Sequence, residues 1–175
     1  MKNIVLIGMP GCGKSTVGVI LAKIMGCHFI DADLLIQEQE GRLLSQILAT
    51  DGPDAFNQIE NKVNLAIGGC NTVIATGGSV VYGNEAMEHY RKTAIVVYLR
   101  LPLDEIERRL GDIAERGISM KEGQTLQNIY EERIPLYEKY AHLMIDTMGL
   151  DIKDAAQKIR ETVEFLERND VSQLQ

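Results

Sequence analysis

The sequence predicts an α/β domain with a parallel sheet flanked by helices, and two observations support this fold class. Short segments typical of strands alternate with longer segments of helical periodicity along most of the 175 residues. Four of the five short segments are continuous apolar runs, as expected of parallel strands that are buried on both faces. The length suits a single domain that buries its core without disulfides or structural metal ions.

The five candidate strands follow one another along the chain with helices between them. They span residues 3–7, 28–30, 72–75, 94–99 and 143–146. The second strand is weak as a pattern and is inferred from its position before Asp31. Helices are predicted at residues 15–25, 34–40, 54–67, 103–110, 125–140 and 152–167. We therefore expect one domain over residues 1–170 and a frayed polar tail over residues 171–175.

Composition and charge exclude several classes of protein. The 25 acidic and 18 basic residues give a net charge of −7, which argues against nucleic-acid binding through bulk charge. Three scattered cysteines do not form a disulfide framework, and the apolar run at residues 4–7 is too short for a signal peptide or a membrane span. We expect a soluble cytoplasmic monomer that acts on a small molecule and binds neither nucleic acid nor a membrane.

Residues 8–16 form the most informative motif of the chain. They read Gly-Met-Pro-Gly-Cys-Gly-Lys-Ser-Thr and match the phosphate-loop pattern G-x-x-x-x-G-K-[ST] between a predicted strand and a predicted helix. Glycines let successive backbone N–H groups point at phosphate oxygens, Lys14 can bridge the β- and γ-phosphates, and the Ser15 hydroxyl suits Mg²⁺. The alternative is a glycine-rich turn without function. The candidate ATP-binding residues of this loop are Gly11, Cys12, Gly13, Lys14, Ser15 and Thr16.

This motif occurs in kinases, GTPases and motor ATPases, and two features of the chain favour a small-molecule kinase. The base-reading GTPase motif N-K-x-D is absent, because Asn61-Lys62 is followed by Val63-Asn64. A chain of 175 residues also leaves little room for the additional elements of an oligomeric motor.

Polar residues follow the second and third candidate strands. Alternation along an extended chain would put the carboxylates of Asp31 and Asp33 on one side, one near Mg²⁺ and one near an acceptor hydroxyl. The alternative is a capping pair at the start of the next helix. Residues 76–79, Thr-Gly-Gly-Ser, indicate either a close approach of a ligand to the backbone or a tight turn. The glycine-containing loop at 111–124 is either a plain connection or a mobile lid.

Taken together, these motifs resemble those of the shikimate kinase family, over about residues 3–165. The phosphate loop is common to many families, whereas the other motifs in this order and spacing are much more specific. The motifs that carry the resemblance are the phosphate loop, Asp31 and Asp33, residues 73–78 (Val-Ile-Ala-Thr-Gly-Gly), residues 132–137 (Glu-Arg-Ile-Pro-Leu-Tyr), Asp51-Gly52 with Phe56 and Glu60, and residues 145–147 (Ile-Asp-Thr).

The resemblance implies a P-loop kinase fold with a five-stranded parallel sheet and a mobile lid at about residues 111–124. It also implies ATP-dependent phosphorylation of shikimate to shikimate 3-phosphate, a step of aromatic amino acid biosynthesis, with Mg²⁺ accompanying the nucleotide. The acceptor of the phosphoryl group would therefore be a small anionic metabolite that carries a hydroxyl group.

Individual residues acquire roles through the same resemblance. Lys14, Asp33 and Arg116 would be catalytic, with Arg116 as the lid residue that reaches the transferred phosphate. Ser15 and Asp31 would lie at Mg²⁺, directly or through water. The remaining implied roles are stacking on adenine by Arg109, and acceptor binding by Asp33, Asn57, Gly77, Gly78, Ser79 and Arg133, with Arg133 on the carboxylate.

Three departures from the family pattern concern mainly the acceptor. The family carries an arginine after the Phe of the helix at 54–67, where this chain has Asn57, and an amide cannot replace a bidentate guanidinium on a carboxylate. The family's third glycine is here Ser79, and its Arg-Pro in the lid is here Arg116-Gly117. The cations considered as compensators are Lys62, Arg91 and Lys121.

The alternatives that remain differ in the acceptor or in catalysis itself. One is a kinase of another hydroxy acid or polyol, of the gluconate or homoserine type, and another is a non-catalytic regulator that binds ATP. A nucleoside-monophosphate kinase would need a base-reading pocket and several phosphate-binding arginines, which are not evident in the sequence. The residues that argue against the regulator are Lys14, Ser15, Asp31, Asp33 and Arg133.

Overall fold

The centre of the protein is a parallel sheet of five strands: β1 (Asn3–Ile7), β2 (His28–Asp31), β3 (Thr72–Ala75), β4 (Ala94–Arg100) and β5 (Leu143–Asp146). The computed structural model describes residues 1–111 and 117–172, with side chains as far as residue 169. The strands lie in the order β2-β3-β1-β4-β5, and every neighbouring pair is parallel. The fold class predicted from the alternating pattern is confirmed.

Helices flank the sheet, and in the described residues they are α1 (Lys14–Met25), α2 (Ala32–Glu40), α3 (Leu44–Ala66), α4 (Asn84–Thr93), α5 (Leu103–Leu110), α6 (Leu126–Tyr140) and α7 (Ile152–Ser172). α1 packs against α7, whereas α3 packs against α2 and α4. α7 continues to Ser172, into the segment that was expected to be frayed. None of the helices in the described part of the chain has the length and apolarity that a membrane span requires.

Burial follows the position of each strand in the sheet. Residues 4–7 of the central strand β1 are fully buried, and in β3 and β4 every residue except Arg100 is buried. β5 lies at the edge, and only Ile145 of its four residues is buried. The expectation that this apolar run is buried on both faces is wrong, because β5 pairs with β4 alone and Met144 is 58% exposed.

Two helical regions differ from the prediction. α3 begins at Leu44 and is kinked at Gly52 (φ 80°, ψ 169°), directly before Pro53. Because proline cannot continue the hydrogen-bond pattern and restricts the residue before it, the sequence pattern predicted a helix only from residue 54. α4 and the 3₁₀ turn Val80–Tyr82 before it were not predicted, because α4 is mostly polar and the turn is short.

The strand order places three connecting segments side by side. β1 is followed by the phosphate loop, β2 by α2, and β3 by residues 76–79. Because β2, β3 and β1 are parallel neighbours, their carboxyl ends lie at the same end of the sheet. The candidate functional residues of all three segments are therefore brought to that end.

Tyr98 on β4 provides a test of the core packing. Its side chain is 1% exposed and stacks on Tyr137 with ring centroids 5.1 Å apart, yet its hydroxyl has no hydrogen-bond partner among the described residues. Because an unpaired buried hydroxyl is costly, Tyr98→Phe should leave the free energy of unfolding unchanged or raise it by about 1 kcal/mol. Urea denaturation measures this difference.

The matched control is Tyr137→Phe. Its hydroxyl donates to the Gly78 carbonyl oxygen at 2.5 Å, so the substitution should lower the free energy of unfolding by about 1–2 kcal/mol. A loss of stability in Tyr98→Phe as large as that in Tyr137→Phe would contradict the described packing of Tyr98.

Candidate active site

The phosphate loop forms the turn from β1 to α1. Gly11 and Gly13 have φ values of 79° and 98°, a conformation that residues with side chains rarely adopt. Position 8 also requires glycine, because a Cβ there would lie only 2.7 Å from the carbonyl oxygen of Leu99. The turn runs directly into α1, so the partial positive charge at the N-terminus of that helix lies at the loop.

Lys14 is the first residue of α1 and is held against the loop. Its ammonium group donates to the carbonyl oxygens of Gly8 and Met9 at 2.8 and 3.0 Å, and the residue is 7% exposed. Ser15 and Thr16 in the same helical turn are exposed. Backbone N–H groups, one ammonium group and two hydroxyls are thus presented together, which is the set of donors that a polyphosphate requires.

A cavity of about 330 Å³ adjoins the loop and extends to α2, to the segment after β3 and to α6. Residues 117–119, from the segment predicted to be a lid, form part of its wall. The predicted site residues that line this cavity are Gly11, Gly13, Lys14, Ser15, Thr16, Asp33, Gly77, Gly78, Ser79 and Arg133. The structure therefore brings the candidate nucleotide-binding and acceptor-binding groups into one space.

The two aspartates near the end of β2 have different surroundings. Asp31 caps α2, because its Oδ1 accepts hydrogen bonds from the backbone N–H groups of Asp33 and Leu34 at 3.0 and 3.4 Å. Asp33 lies in the first turn of α2 and lines the cavity, and Asp31 does not. The argument from alternation is wrong, because α2 begins at Ala32 and ends the extended chain there.

Asp33 has the character of a hydrogen-bond acceptor for a bound hydroxyl group. Its buried Oδ1 has no donor within the described part of the chain. Burial and, to a smaller extent, the negative charge of Asp31 raise the pKa of Asp33 to about 6, while the positive charge of Lys14 acts in the opposite direction. A carboxylate that titrates close to neutral pH and borders a cavity can orient or deprotonate a hydroxyl there.

Arg133 supplies a buried positive charge at the other side of the cavity. It is fully buried, its Nε donates to the Tyr82 hydroxyl at 3.2 Å, and its Nη2 donates to the Ser119 carbonyl oxygen at 2.5 Å. Nη1 has no partner in the described residues, and it lies 3.1 Å from the position that a Cβ on Gly78 would occupy. A buried guanidinium with a free N–H group at a cavity wall favours a bound carboxylate or another anion.

Glu60 on α3 lies behind the cavity wall, against Gly77 and Ser79, and the sequence analysis gave it no role. It is 1% exposed, its Oε2 accepts a hydrogen bond from the Ser79 hydroxyl at 2.6 Å, and its Oε1 has no donor among the described residues. Burial and the charge of Asp33 raise the pKa of Glu60 to about 8, against the effects of Ser79 and nearby cations. The signal in the sequence was an acid at helical spacing between Phe56 and Val63 on the buried face of the helix.

Asn57 lies next to the main cavity and lines a second one of about 210 Å³. Its Oδ1 accepts a hydrogen bond from the Ser119 hydroxyl at 2.9 Å, and Ser119 lines both cavities. Of the three cations considered as compensators, Lys121 lines the second cavity, whereas Lys62 and Arg91 are exposed and line neither. The amide of Asn57 therefore contacts residue 119 of the predicted lid segment.

Two other predicted residues do not line the main cavity, and a third lies outside the part of the chain that the structure describes. Arg109 lies in the last turn of α5, where its Nε donates to Glu105 Oε1 at 2.7 Å. Cys12 is buried, with its Sγ 3.8 Å from Lys14 Nζ, so its contribution to phosphate binding is confined to the backbone. Arg116 lies outside the described residues.

Two residues could contribute oxygen ligands to Mg²⁺: Ser15 in the first turn of α1 and Asp31 at the end of β2. Ser15 offers an exposed hydroxyl, and Asp31 keeps its second carboxylate oxygen free of donors from the described residues. The described part of the chain holds no group of three or more His, Cys, Asp or Glu residues arranged for a metal ion. Mg²⁺ usually keeps several waters and binds one or two protein oxygens together with phosphates, and hydroxyl and carboxylate oxygens are of the kind that it prefers.

Comparisons with known proteins agree on one family. The family model for shikimate kinase matches residues 10–164. Shikimate kinase from Thermodesulfovibrio yellowstonii is 37% identical over 169 residues, covering 95% of this chain and 97% of the relative. The crystal structure of the Acinetobacter baumannii shikimate kinase, in complex with shikimate, has a TM-score of 0.87 and 32% identity over 93% of both chains. The Aquifex aeolicus shikimate kinase has a TM-score of 0.80 and 28% identity, covering 93% of this chain and 96% of that one.

The two buried carboxyl groups predict how stability depends on pH. The pKa values of Asp33 and Glu60 are raised to about 6 and about 8, against about 4 in an unfolded chain. The folded state therefore binds more protons in this window, so the free energy of unfolding should fall as pH rises from about 4 to about 8. Between pH 6 and 8 most of the fall is due to Glu60 and is of the order of 2 kcal/mol.

Glu60→Gln should flatten this dependence between pH 6 and 8, because glutamine does not titrate. Denaturant unfolding at several pH values measures the slope, and Glu38→Gln, at an exposed position of α2, is the control. An unchanged slope in Glu60→Gln would show that Glu60 is not the group that titrates in this range.

Proposed function

The chain belongs to the shikimate kinase family, whose members are ATP-dependent kinases of an alcohol, and we propose that it transfers the γ-phosphoryl group of ATP to a hydroxyl of shikimate. The product would be shikimate 3-phosphate, within aromatic amino acid biosynthesis. The observation that carries the proposal is that the phosphate loop, the Asp33 carboxylate and Arg133, whose Nη1 has no partner among the described residues, line the same cavity.

On the donor side, the phosphate loop holds the polyphosphate of ATP. Backbone N–H groups of the loop and the N-terminus of α1 bind phosphate oxygens, and the Lys14 ammonium exchanges its carbonyl partners for the β- and γ-phosphates. Ser15 and Asp31 are the residues proposed to hold Mg²⁺. When bound, Mg²⁺ neutralises negative charge on the phosphates.

On the acceptor side, two charges fix the orientation of the substrate. The free Nη1 of Arg133 binds the carboxylate of shikimate, and the backbone N–H groups of Gly77 and Gly78 approach the ring. The Oδ1 of Asp33 accepts a hydrogen bond from the hydroxyl that attacks the γ-phosphorus. It takes the hydroxyl proton as the new P–O bond forms and the bond from the γ-phosphorus to the β–γ bridging oxygen breaks, with ADP as the leaving group. Lys14 stabilises the charge on the transferring phosphoryl group.

Exclusion of water from the transferred group is assigned to the segment at about 111–124. Gly117 lies against α3, since a Cβ there would lie 3.0 Å from the backbone nitrogen of Ser45, and Ser119 is 6% exposed. Such contacts allow the segment to cover the acceptor after binding. By resemblance to the family, we propose Arg116 as the lid residue at the transferred phosphate and Arg109 as the residue at adenine.

We further propose that the chain works as a monomer in the cytoplasm. One chain supplies both the nucleotide-binding and the acceptor-binding walls of the cavity. Cys12, Cys27 and Cys70 are free, which suits a reducing compartment.

The first prediction from the proposed function concerns the reaction itself. ADP release with ATP and Mg²⁺ should be stimulated strongly by shikimate, because Asp33 and Arg133 are placed for a hydroxyl and a carboxylate of one small molecule. Gluconate and homoserine also carry both groups and should stimulate it less, because membership of the family favours shikimate. Lys14→Ala should lower kcat by about a hundredfold or more, since one preorganised positive charge at the phosphates is lost. Stimulation by gluconate or homoserine alone would overturn the choice of acceptor, and full activity in Lys14→Ala would overturn the mechanism.

A second prediction concerns Asp33. Because its pKa is raised to about 6 and its ionised form accepts the hydroxyl proton, kcat/KM for shikimate should fall below about pH 6 as the carboxylate becomes protonated. Asp33→Asn should lower kcat by about a hundredfold or more, and its residual activity should lack this acid limb. The pH profile of both proteins tests this, and an identical acid limb in Asp33→Asn would assign the titration to another group.

A further inference from the structure

The direction of the Arg133 guanidinium at the cavity is fixed by two hydrogen bonds. Its Nε donates to the Tyr82 hydroxyl and its Nη2 donates to the Ser119 carbonyl oxygen, at 3.2 and 2.5 Å. Because a guanidinium is planar and rigid, bonds to two of its nitrogens also determine where the third one points. The placement of Nη1, which has no partner among the described residues, therefore depends on the position of Ser119.

Ser119 lies in the irregular segment before α6, so its carbonyl oxygen is not fixed by a helix or a strand. The Ser119 hydroxyl donates to Oδ1 of Asn57 on α3 at 2.9 Å, and the residue is 6% exposed. A buried hydroxyl that loses its acceptor is costly, so this hydrogen bond favours one placement of Ser119. The Asn57 amide thus holds, through Ser119, the carbonyl oxygen that orients Arg133.

Packing alone does not hold Ser119 in this place, because the residue has open space on two sides. The main cavity of about 330 Å³ and the second cavity of about 210 Å³ both have Ser119 in their walls. Asn57 and Tyr82 line the second cavity and not the main one. A residue between two cavities has fewer packing contacts than one in a filled core, so its hydrogen bonds contribute more to its placement.

We propose that Asn57 and Ser119 are positioning residues for Arg133, and that they keep its Nη1 directed at the anionic group of the acceptor. This inference rests on the proposed function, since it concerns the same pocket. Asn57 does not line the main cavity, so it acts on the acceptor through Ser119 and Arg133 and does not touch it. At the position where the family carries an arginine, this chain thus has an amide that holds the segment orienting Arg133 instead of binding the carboxylate itself.

Two substitutions remove the hydrogen bond between these residues from either end. Ser119→Ala and Asn57→Ala should each raise the KM for shikimate by about three- to tenfold, the range expected when one neutral hydrogen bond is lost. In steady-state kinetics, kcat and the KM for ATP should stay within about twofold of the wild type, because the phosphate loop and Asp33 are unchanged. The double variant should have about the same KM for shikimate as either single variant, since both changes remove the same interaction.

Two further variants separate positioning from a general loss of structure. Ser119→Thr keeps the hydroxyl and has space for its methyl group in the cavities, so its KM for shikimate should stay within about twofold of the wild type. The control Asn61→Ala removes the hydrogen bonds that another half-buried asparagine of α3 makes with Glu85 and Ala86, and it should leave this KM unchanged. An unchanged KM in Ser119→Ala or Asn57→Ala, losses that multiply in the double variant, no rescue by Ser119→Thr, or an equal loss in Asn61→Ala would each overturn the inference.

If the wild type does not phosphorylate shikimate at all, the proposed function fails, and the positioning of Arg133 is then tested in the protein without nucleotide or acceptor. The measurement is the exchange of the Arg133 Nε–H proton with water by NMR, with the resonance assigned by its absence in Arg133→Lys. Exchange should be slow in the wild type and in Asn61→Ala, and at least about fivefold faster in Ser119→Ala and Asn57→Ala, because the guanidinium is then held less firmly at Nη2. Equal exchange in all four proteins would overturn the role of Asn57 and Ser119.

Discussion

The burial of the Arg133 guanidinium is the constraint on which the acceptor side of this protein depends. A fully buried cation is costly unless its N–H groups find partners, and two separate regions supply them. The Tyr82 hydroxyl comes from the turn before α4, the Ser119 carbonyl oxygen comes from the segment before α6, and the ring of Tyr82 lies 5.2 Å from the guanidinium carbon. Nη1 has no partner among the described residues, so an anion bound at the cavity would recover part of the cost of burial.

This arrangement makes the charge balance of the cavity depend on Glu60. When Glu60 is neutral, the state that its raised pKa favours near neutral pH, the cations Lys14 and Arg133 at the cavity outweigh the carboxylate of Asp33. With Glu60 ionised, the two cations and two carboxylates would cancel, and attraction for the acceptor would weaken. The desolvation of Glu60 in the core, which reduces stability as pH rises, is therefore the same property that favours binding of an anion.

The sequence was sufficient for features that depend on local patterns. The phosphate loop, four of the five strands and all helices but α4 follow at least in part from residue spacing. Asp33, Gly77, Gly78 and Arg133 lie in motifs that the structure brings to one cavity. Features that depend on contacts distant in the chain could not be derived. The hydrogen bond from Ser79 to Glu60 joins residues 19 positions apart. The kink at Gly52 lets α3 extend on both sides of Pro53, which in the sequence marks the start of a new helix. Asp31 likewise caps the N-terminus of α2 because that helix begins at Ala32, a boundary that the sequence pattern did not predict.

Two departures from the family pattern, Asn57 and Ser79, belong to one connected set of contacts around Arg133. Asn57 accepts from the hydroxyl of Ser119, whose carbonyl oxygen holds Arg133, and Ser79 donates to Glu60, whose charge Arg133 also influences. The amide at position 57 therefore contacts the segment that bears Ser119, while the carboxylate of the proposed acceptor is assigned to Arg133. Since these changes leave the phosphate loop and Asp33 in place, we expect them to act on the affinity and choice of acceptor and not on the proposed chemistry of phosphoryl transfer.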